Sequence, residues 1–225
     1  MEEHMKTLVV ALFGTAPWVV GAPGAHPKGP LADTVECTFQ GAGLPLALKV
    51  VPMSRAYAML EAGSVDAVAQ GLRSAERDTK FVPSAEMSRS RSGWFTLARE
   101  TTALTEFATS DFRKAGAFGV LARGAHASRL RGDGYTGGVE VAGESDALLR
   151  MLARGRFQNV FANEVAFKNL LATPEFSSLR VSFAPHFSDS GVIYFSKSSA
   201  PGSNPELLAR LNESLRRCPI DRSFM

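Results

Sequence analysis

The sequence predicts an α/β protein of two lobes of like construction, and two observations carry that expectation. The first is the stretch Val51 to Ser88 (VPMSRAYAMLEAGSVDAVAQGLRSAERDTKFVPSAEMS), which holds a helix, a buried strand and a charged turn in succession. Ala56, Met59 and Leu60 share one helical face, Ser54 reads as the N-cap, and Gly63 stands where a left-handed residue ends a helix. Val65-Asp66-Ala67-Val68-Ala69 is short and mostly apolar, as a strand covered on both faces is. The loop from Gln70 to Arg77 leaves the carboxyl end of that strand, where open α/β sheets hold ligands. The second observation is an echo. Arg150 to Asn163 (RMLARGRFQNVFAN) repeats the layout of Ala58 to Gly71 (AMLEAGSVDAVAQG), matching Gly63 with Gly155, Val65 with Phe157 and Gly71 with Asn163. Two such units with opposed strand ends make a cleft between lobes.

At 225 residues the chain has room for one large domain or two small ones. Its formal charge of +3 is spread along the sequence, and small residues dilute the densest basic run, Arg123 to Arg131, so a nucleic-acid partner is not indicated. No apolar run reaches the roughly 18 residues that span a bilayer, because Gly14 and Pro17 interrupt Thr7 to Val20. Met1-Glu2-Glu3-His4 is acidic where a secretory signal is basic. With no nucleophile and base pair, metal-ligand cluster or phosphate loop in the sequence, the expectation is a binder without cofactor or metal rather than an enzyme.

Taken in order, the elements follow from local chemistry. Lys6 to Phe13 is a buried strand that empties into Gly14-Thr15-Ala16-Pro17-Trp18, a turn that continues neither strand nor helix. Trp18 there is either a pocket wall or a half-buried packing residue. Gly and Pro make Val20 to Pro30 a loop, Leu31 to Gln40 forms a helix, and Lys49-Val50-Val51 is a second strand. Trp94 to Ala98 is an apolar strand, and the polar residues that follow it mark a first crossing between lobes at Ala98 to Thr102. Gly116 to Leu121 is another strand, and Arg123 to Ser128 opens a helix whose first turn offers backbone N–H groups to an anion. His126 reads as an exposed residue of that turn, and Asn163 suits a helix N-cap. Phe183 to Gly191 is the return crossing, and Val192 to Lys197 re-enters the first lobe as a strand. Pro205 to Arg217 is an amphipathic helix capped by Asn204, with Leu207, Leu208, Leu211 and Leu215 on one face.

The order of helix, GxxD, strand and polar loop ending in Glu76-Arg77 resembles the family 3 extracellular solute-binding proteins, the periplasmic receptors for polar amino acids, over nearly the whole chain. The resemblance implies the type II periplasmic-binding-protein-like fold, with lobe 1 formed by 1-99 plus 190-225 and lobe 2 by 100-189, closing like a hinge on a small-molecule carboxylate. It also implies a monomer in the periplasm that serves the membrane permease of an ABC importer, its signal removed and its first five residues a foreign leader. In such an oxidising compartment Cys37 and Cys218 could pair if the first and last helices of one lobe touch; two buried free thiols fit the sequence equally.

In that family the arginine closing the loop binds the ligand's α-carboxylate, and Arg77 occupies the matching position, with Gly71, Leu72 and Arg73 leading to it. A planar guanidinium makes two parallel charge-assisted bonds to a carboxylate, which a lysine cannot imitate. The alternative is that Arg77 tethers its own loop through Glu76 or Asp78. Thr15 and Trp18 match the ligand wall. Three positions depart from the pattern: Met53 replaces an aromatic lid, Ala125, beside His126, replaces a threonine hydroxyl, and Asn163 replaces the aspartate that binds the ligand's ammonium group. A buried cation without a counter-charge costs several kcal/mol. Either Glu164 swings in to supply it, or the ligand keeps the acid and carries a neutral second group such as a hydroxyl, keto or amide function. Two rivals share the scaffold: a dehydratase-like enzyme with Glu164 or Glu144 as general acid, and a sensory ligand-binding module.

Overall fold

Proline at the first helical position and short apolar runs between helices set the elements of this chain. The computed structural model describes residues 6–14, 19–21, 25–98, 116–122, 124–218 and 220, and these divide into two compact units, Met1–Arg89 with Ser190–Met225 and Ser90–Asp189. In chain order the elements are β1 (Leu8–Leu12), α1 (Pro30–Gly41), β2 (Leu46–Val50), α2 (Met53–Glu61), β3 (Ala67–Leu72), α3 (Ala75–Lys80), β4 (Val82–Pro83) and β5 (Ser88–Leu97). There follow β6 (Phe118–Leu121), α4 (Ala125–Gly132), β7 (Gly138–Val141), α5 (Ser145–Ala153), β8 (Asn159–Asn163), α6 (Glu164–Leu171), β9 (Val181–Phe195), α7 (Ala200–Ser203) and α8 (Pro205–Arg217).

In unit 1 the strands run β2-β1-β3-β9, with β4 also on β9; β1 is parallel to both neighbours and β3 is antiparallel to β9. Successive residues of a strand face opposite ways. Thus Val10 and Leu12 pack with Leu31, Val35, Phe39, Leu211 and Leu215 of α1 and α8, whereas Ala11 packs with Ala56 and Leu60 of α2. The Cys37–Cys218 disulfide ties α1 to the end of α8, with Cα atoms 5.8 Å apart. In unit 2 the order is β9-β5-β8-β6-β7, with β5 antiparallel to β8 and β6 parallel to β8 and β7. Trp94 and Phe161 face α4, and their neighbours Phe95 and Val160 face α5 and α6.

The echo in the sequence is an echo in structure. Gly63 and Gly155 both adopt φ 68°, each just past a helix ending, and each precedes a strand. Several boundaries differ from the sequence reading for local reasons. Pro52, not Ser54, stands at the N-cap of α2, without a side-chain cap. Asp66 spends its carboxylate on the Val9 N–H at 2.8 Å, so β3 begins at Ala67 and carries Gln70, Gly71 and Leu72 within the strand. The return crossing is no loop: β9 runs unbroken through Phe183 to Gly191, because β3 and β5 pair with it in turn. The first passage between units lies at Arg89–Ser90 within β5, nearer the N-terminus than the boundary read from the sequence, and the expected crossing residues from 99 onward lie outside the described residues.

Candidate functional site

In unit 1 the candidate residues gather where β3 ends and α3 begins. Ser74 caps α3 by accepting the Arg77 N–H at 3.3 Å, which sets Arg77 in the first turn with its side chain folded back toward β3. Arg77 Nη1 donates to the Leu72 carbonyl at 2.9 Å, and its Cζ lies 4.1 Å from the centre of the Tyr57 ring. Asp78 takes other partners: Arg73 Nε at 3.0 Å and Tyr194 Oη at 2.9 Å. Arg73 thus tethers this loop through Asp78. Gly71 is fitted to its surroundings, since a Cβ there would meet Tyr57 Oη at 2.5 Å and the Tyr194 ring at 2.6 Å. Burial pushes the Tyr57 phenol up to about 12 against the opposing charge of Arg77. Met53 is the half-buried first residue of α2. Thr15 and Trp18 lie outside the described residues.

In unit 2, Asn163 ends β8 and caps α6: its Oδ1 accepts from Ala166 N at 3.2 Å while Nδ2 donates to Ser90 Oγ at 2.8 Å. Glu164 is buried and fully engaged. Arg91 grips it with two bonds of 2.8 and 2.9 Å, and Lys168 adds a third contact at 2.7 Å. Burial pushes the Glu164 carboxyl up, but the bonds from Arg91 and Lys168 outweigh it and leave the group below the usual glutamate value. A general acid needs the opposite shift. Ala125 opens α4 behind Gly124, which offers no side-chain cap.

His126 corrects the sequence reading. It is buried, not exposed, and its Nε2 stands 3.1 Å from Asp189 Oδ2. Asp189, itself buried, also accepts from Ser92 Oγ and from Arg129 Nη1, whose guanidinium lies 3.9 Å over the Phe187 ring. Burial pushes the Asp189 carboxyl up; His126, Ser92 and Arg129 together hold it below the usual aspartate value. Sequence reasoning missed this cluster and Tyr57 alike. A signal existed for part of it: Ser88-Arg89-Ser90-Arg91-Ser92 alternates strictly, placing serines on one face of β5 and exposed arginines on the other.

Among the described residues no helix is long and apolar enough to cross a membrane, and no group of side chains suits a metal ion. No protein-family model matches the chain, and no curated protein matches its sequence. Solved structures do match. A histidine kinase sensor domain with similarity to periplasmic binding proteins aligns over 95% of this chain and 90% of its own, with a TM-score of 0.77 and 17% identity. The arginine-bound form of truncated ArgBP from T. maritima aligns over 94% and 95%, with a TM-score of 0.72 and 15% identity. The GluR0 ligand-binding core from Nostoc punctiforme, in complex with L-glutamate, aligns over 93% and 92%, with a TM-score of 0.70 and 16% identity. The chain has the mixed α/β fold of the periplasmic-binding-protein-like solute-binding proteins.

Proposed function

We propose that this chain is a non-catalytic receptor, outside the cytoplasmic membrane, that binds a small carboxylate through Arg77 and delivers it as a monomer to the permease of an ABC-type importer. The observation that carries this reading is the placement of Arg77 at the carboxyl end of β3, braced by the Leu72 carbonyl and set over the Tyr57 ring. Ligands of open α/β folds gather at that end of the strands, and a fixed guanidinium plane is what bidentate carboxylate recognition needs. The neighbours named above are bound to arginine and to L-glutamate, which share an α-carboxylate, and this supports a carboxylate-bearing small molecule as the ligand class. The resemblance gives the position of Asn163 to an ammonium-binding aspartate; Asn163 carries no charge, and Glu164 is already neutralised by Arg91 and Lys168, so the ligand class we propose is a carboxylate whose second polar group is neutral. The engaged, ionised Glu164 also weighs against the dehydratase-like alternative.

A sensory role is the second reading, favoured by the likeness to a histidine kinase sensor domain at a TM-score of 0.77. A thermal-shift screen of amino acids against matched hydroxy acids tests the binding claim common to both, because one-site stabilisation grows as RT ln(1 + [L]/Kd). A receptor of this kind shifts upward with at least one carboxylate, and Arg77→Lys loses the shift. Equal shifts in both proteins for every carboxylate would sink the assignment. Uptake of the identified ligand in a strain lacking the gene then separates transport from sensing.

A further inference from the structure

Tyr57, on which Arg77 rests, has surroundings of its own that bear on the site. It stands in the middle of α2, with its ring between Phe13 and Phe81 at centroid distances of 6.1 and 6.2 Å; Phe81 in turn leans on Tyr194 at 6.0 Å. This file of rings fixes the tyrosine on both flanks. Arg77 covers its open face at 4.1 Å, and the same guanidinium donates to the Leu72 carbonyl at 2.9 Å. The ring contact limits where the guanidinium can move, and the hydrogen bond from Nη1 limits how it can turn. Together they leave an arginine, ordinarily a flexible side chain, with little freedom to lose when a planar anion arrives.

The hydroxyl is in a different position from the ring. Tyr57 Oη is buried and has no hydrogen-bond partner among the described residues. It fills the space that a side chain at Gly71 would occupy, as the 2.5 Å separation from a Cβ built there indicates. A buried hydroxyl without a partner is destabilising, whereas the apolar ring is well packed. Binding pre-organisation and hydroxyl are thus separable by substitution.

We infer that Tyr57 is the positioning residue of Arg77, its ring and the Leu72 carbonyl holding the guanidinium in one orientation for a ligand carboxylate. The inference rests on the reading of Arg77 as the carboxylate-binding group, and its test includes a measurement independent of any ligand. The phenol stays neutral across the physiological range, its titration pushed up to about 12 by burial, so the electron-rich face meets the cation at every working pH.

The experiment compares wild type with Tyr57→Phe, Tyr57→Leu and Tyr57→Met, and uses Arg77→Lys to assign the arginine side-chain N–H resonance. A guanidinium stacked on a ring resonates upfield of its fellows. Tyr57→Phe should keep that upfield resonance and raise the thermal midpoint by about 2 to 4 °C, by removing the orphan hydroxyl. Tyr57→Leu should return the resonance to the cluster of ordinary arginines. Tyr57→Met, which keeps length and apolar volume, gives the same readout where leucine unfolds the unit. With L-glutamate and L-2-hydroxyglutarate as probes, affinity should fall about 3- to 30-fold in the leucine or methionine variant and recover in the phenylalanine variant. An Arg77 resonance unmoved by loss of the ring overturns the inference, as does a phenylalanine variant that behaves like leucine. If neither probe binds wild type, the receptor reading fails for these acids while the resonance still decides the positioning of Arg77.

Discussion

Asp189 Oδ2 and His126 Nε2 stand 3.1 Å apart although 63 residues separate them in sequence, one on β9 and the other in the first turn of α4. The same carboxylate receives Ser92 from β5 and Arg129 from the next turn of α4, so one buried negative charge anchors that helix to the sheet of unit 2.

Removing that charge should therefore loosen unit 2. Asp189→Asn leaves the imidazole and the guanidinium facing a neutral amide, and breaking one side of a buried ion pair costs about 3 kcal/mol. Urea unfolding of the variant at neutral pH measures it. The pH dependence has a definite sign. Because the folded-state value of Asp189 lies below the ordinary one, its contribution is complete above about pH 4 and is lost as pH falls through the depressed value. The variant should thus show a flatter acid limb than wild type. Parallel limbs would mean that Asp189 is not the group that titrates there.

Arg77→Lys should lower affinity for the acid found by screening by about 2 kcal/mol, since a lysine keeps the charge and loses both the second bond and the stack on Tyr57. Its thermal midpoint without ligand should stay near that of wild type, because α3 remains capped by Ser74 through a backbone N–H. Calorimetry giving equal affinity would remove Arg77 from the binding role.

The Cys37–Cys218 bond closes a loop of 181 residues in sequence separation, so its loss should matter more than that of a short-range bridge. The chain-entropy relation puts the effect at about 5 kcal/mol. Thermal melts with and without reductant, beside the Cys37→Ser and Cys218→Ser double variant, should show the reduced and mutant proteins melting together well below the oxidised one. Coincident melts of all three would contradict it.

How much of this was legible in the sequence depended on distance along the chain. Asn204 capping α8 and Asn163 capping α6 were readable because a cap and the N–H it accepts lie two or three residues apart. Gly63 and Gly155 were readable because a left-handed helix end has a single favoured residue. Arg77 was readable as a position within a resemblance, yet its bed on Tyr57 was not, since α2 and α3 meet only in the folded unit. Asp189 was hidden more thoroughly. Its neighbours Ser188, Ser190 and Gly191 look like a turn, and only pairing with other strands on either side makes that segment extended.

Asn163 offers the sharpest test of ligand class. Its Oδ1 is engaged by Ala166 N, its Nδ2 by Ser90 Oγ, and Glu164 beside it is closed off by Arg91 and Lys168, so these residues hold no spare negative charge for an ammonium group. Asn163→Asp should fold normally. Aspartate caps a helix as well as asparagine does, a charge at that end of α6 is favourable, and the Ser90 hydroxyl can turn to donate. Its effect on binding should depend on the ligand. Titrating both proteins with L-glutamate and L-2-hydroxyglutarate, we expect wild type to hold the hydroxy acid at least as well as the amino acid. In the variant that order should reverse, with each affinity moving by about 1 kcal/mol in opposite directions, since a new carboxylate attracts the amine and repels a ligand without one. A wild-type preference for L-glutamate that Asn163→Asp strengthens further would show that the amine is already bound, and would return the ligand to the ordinary amino acids.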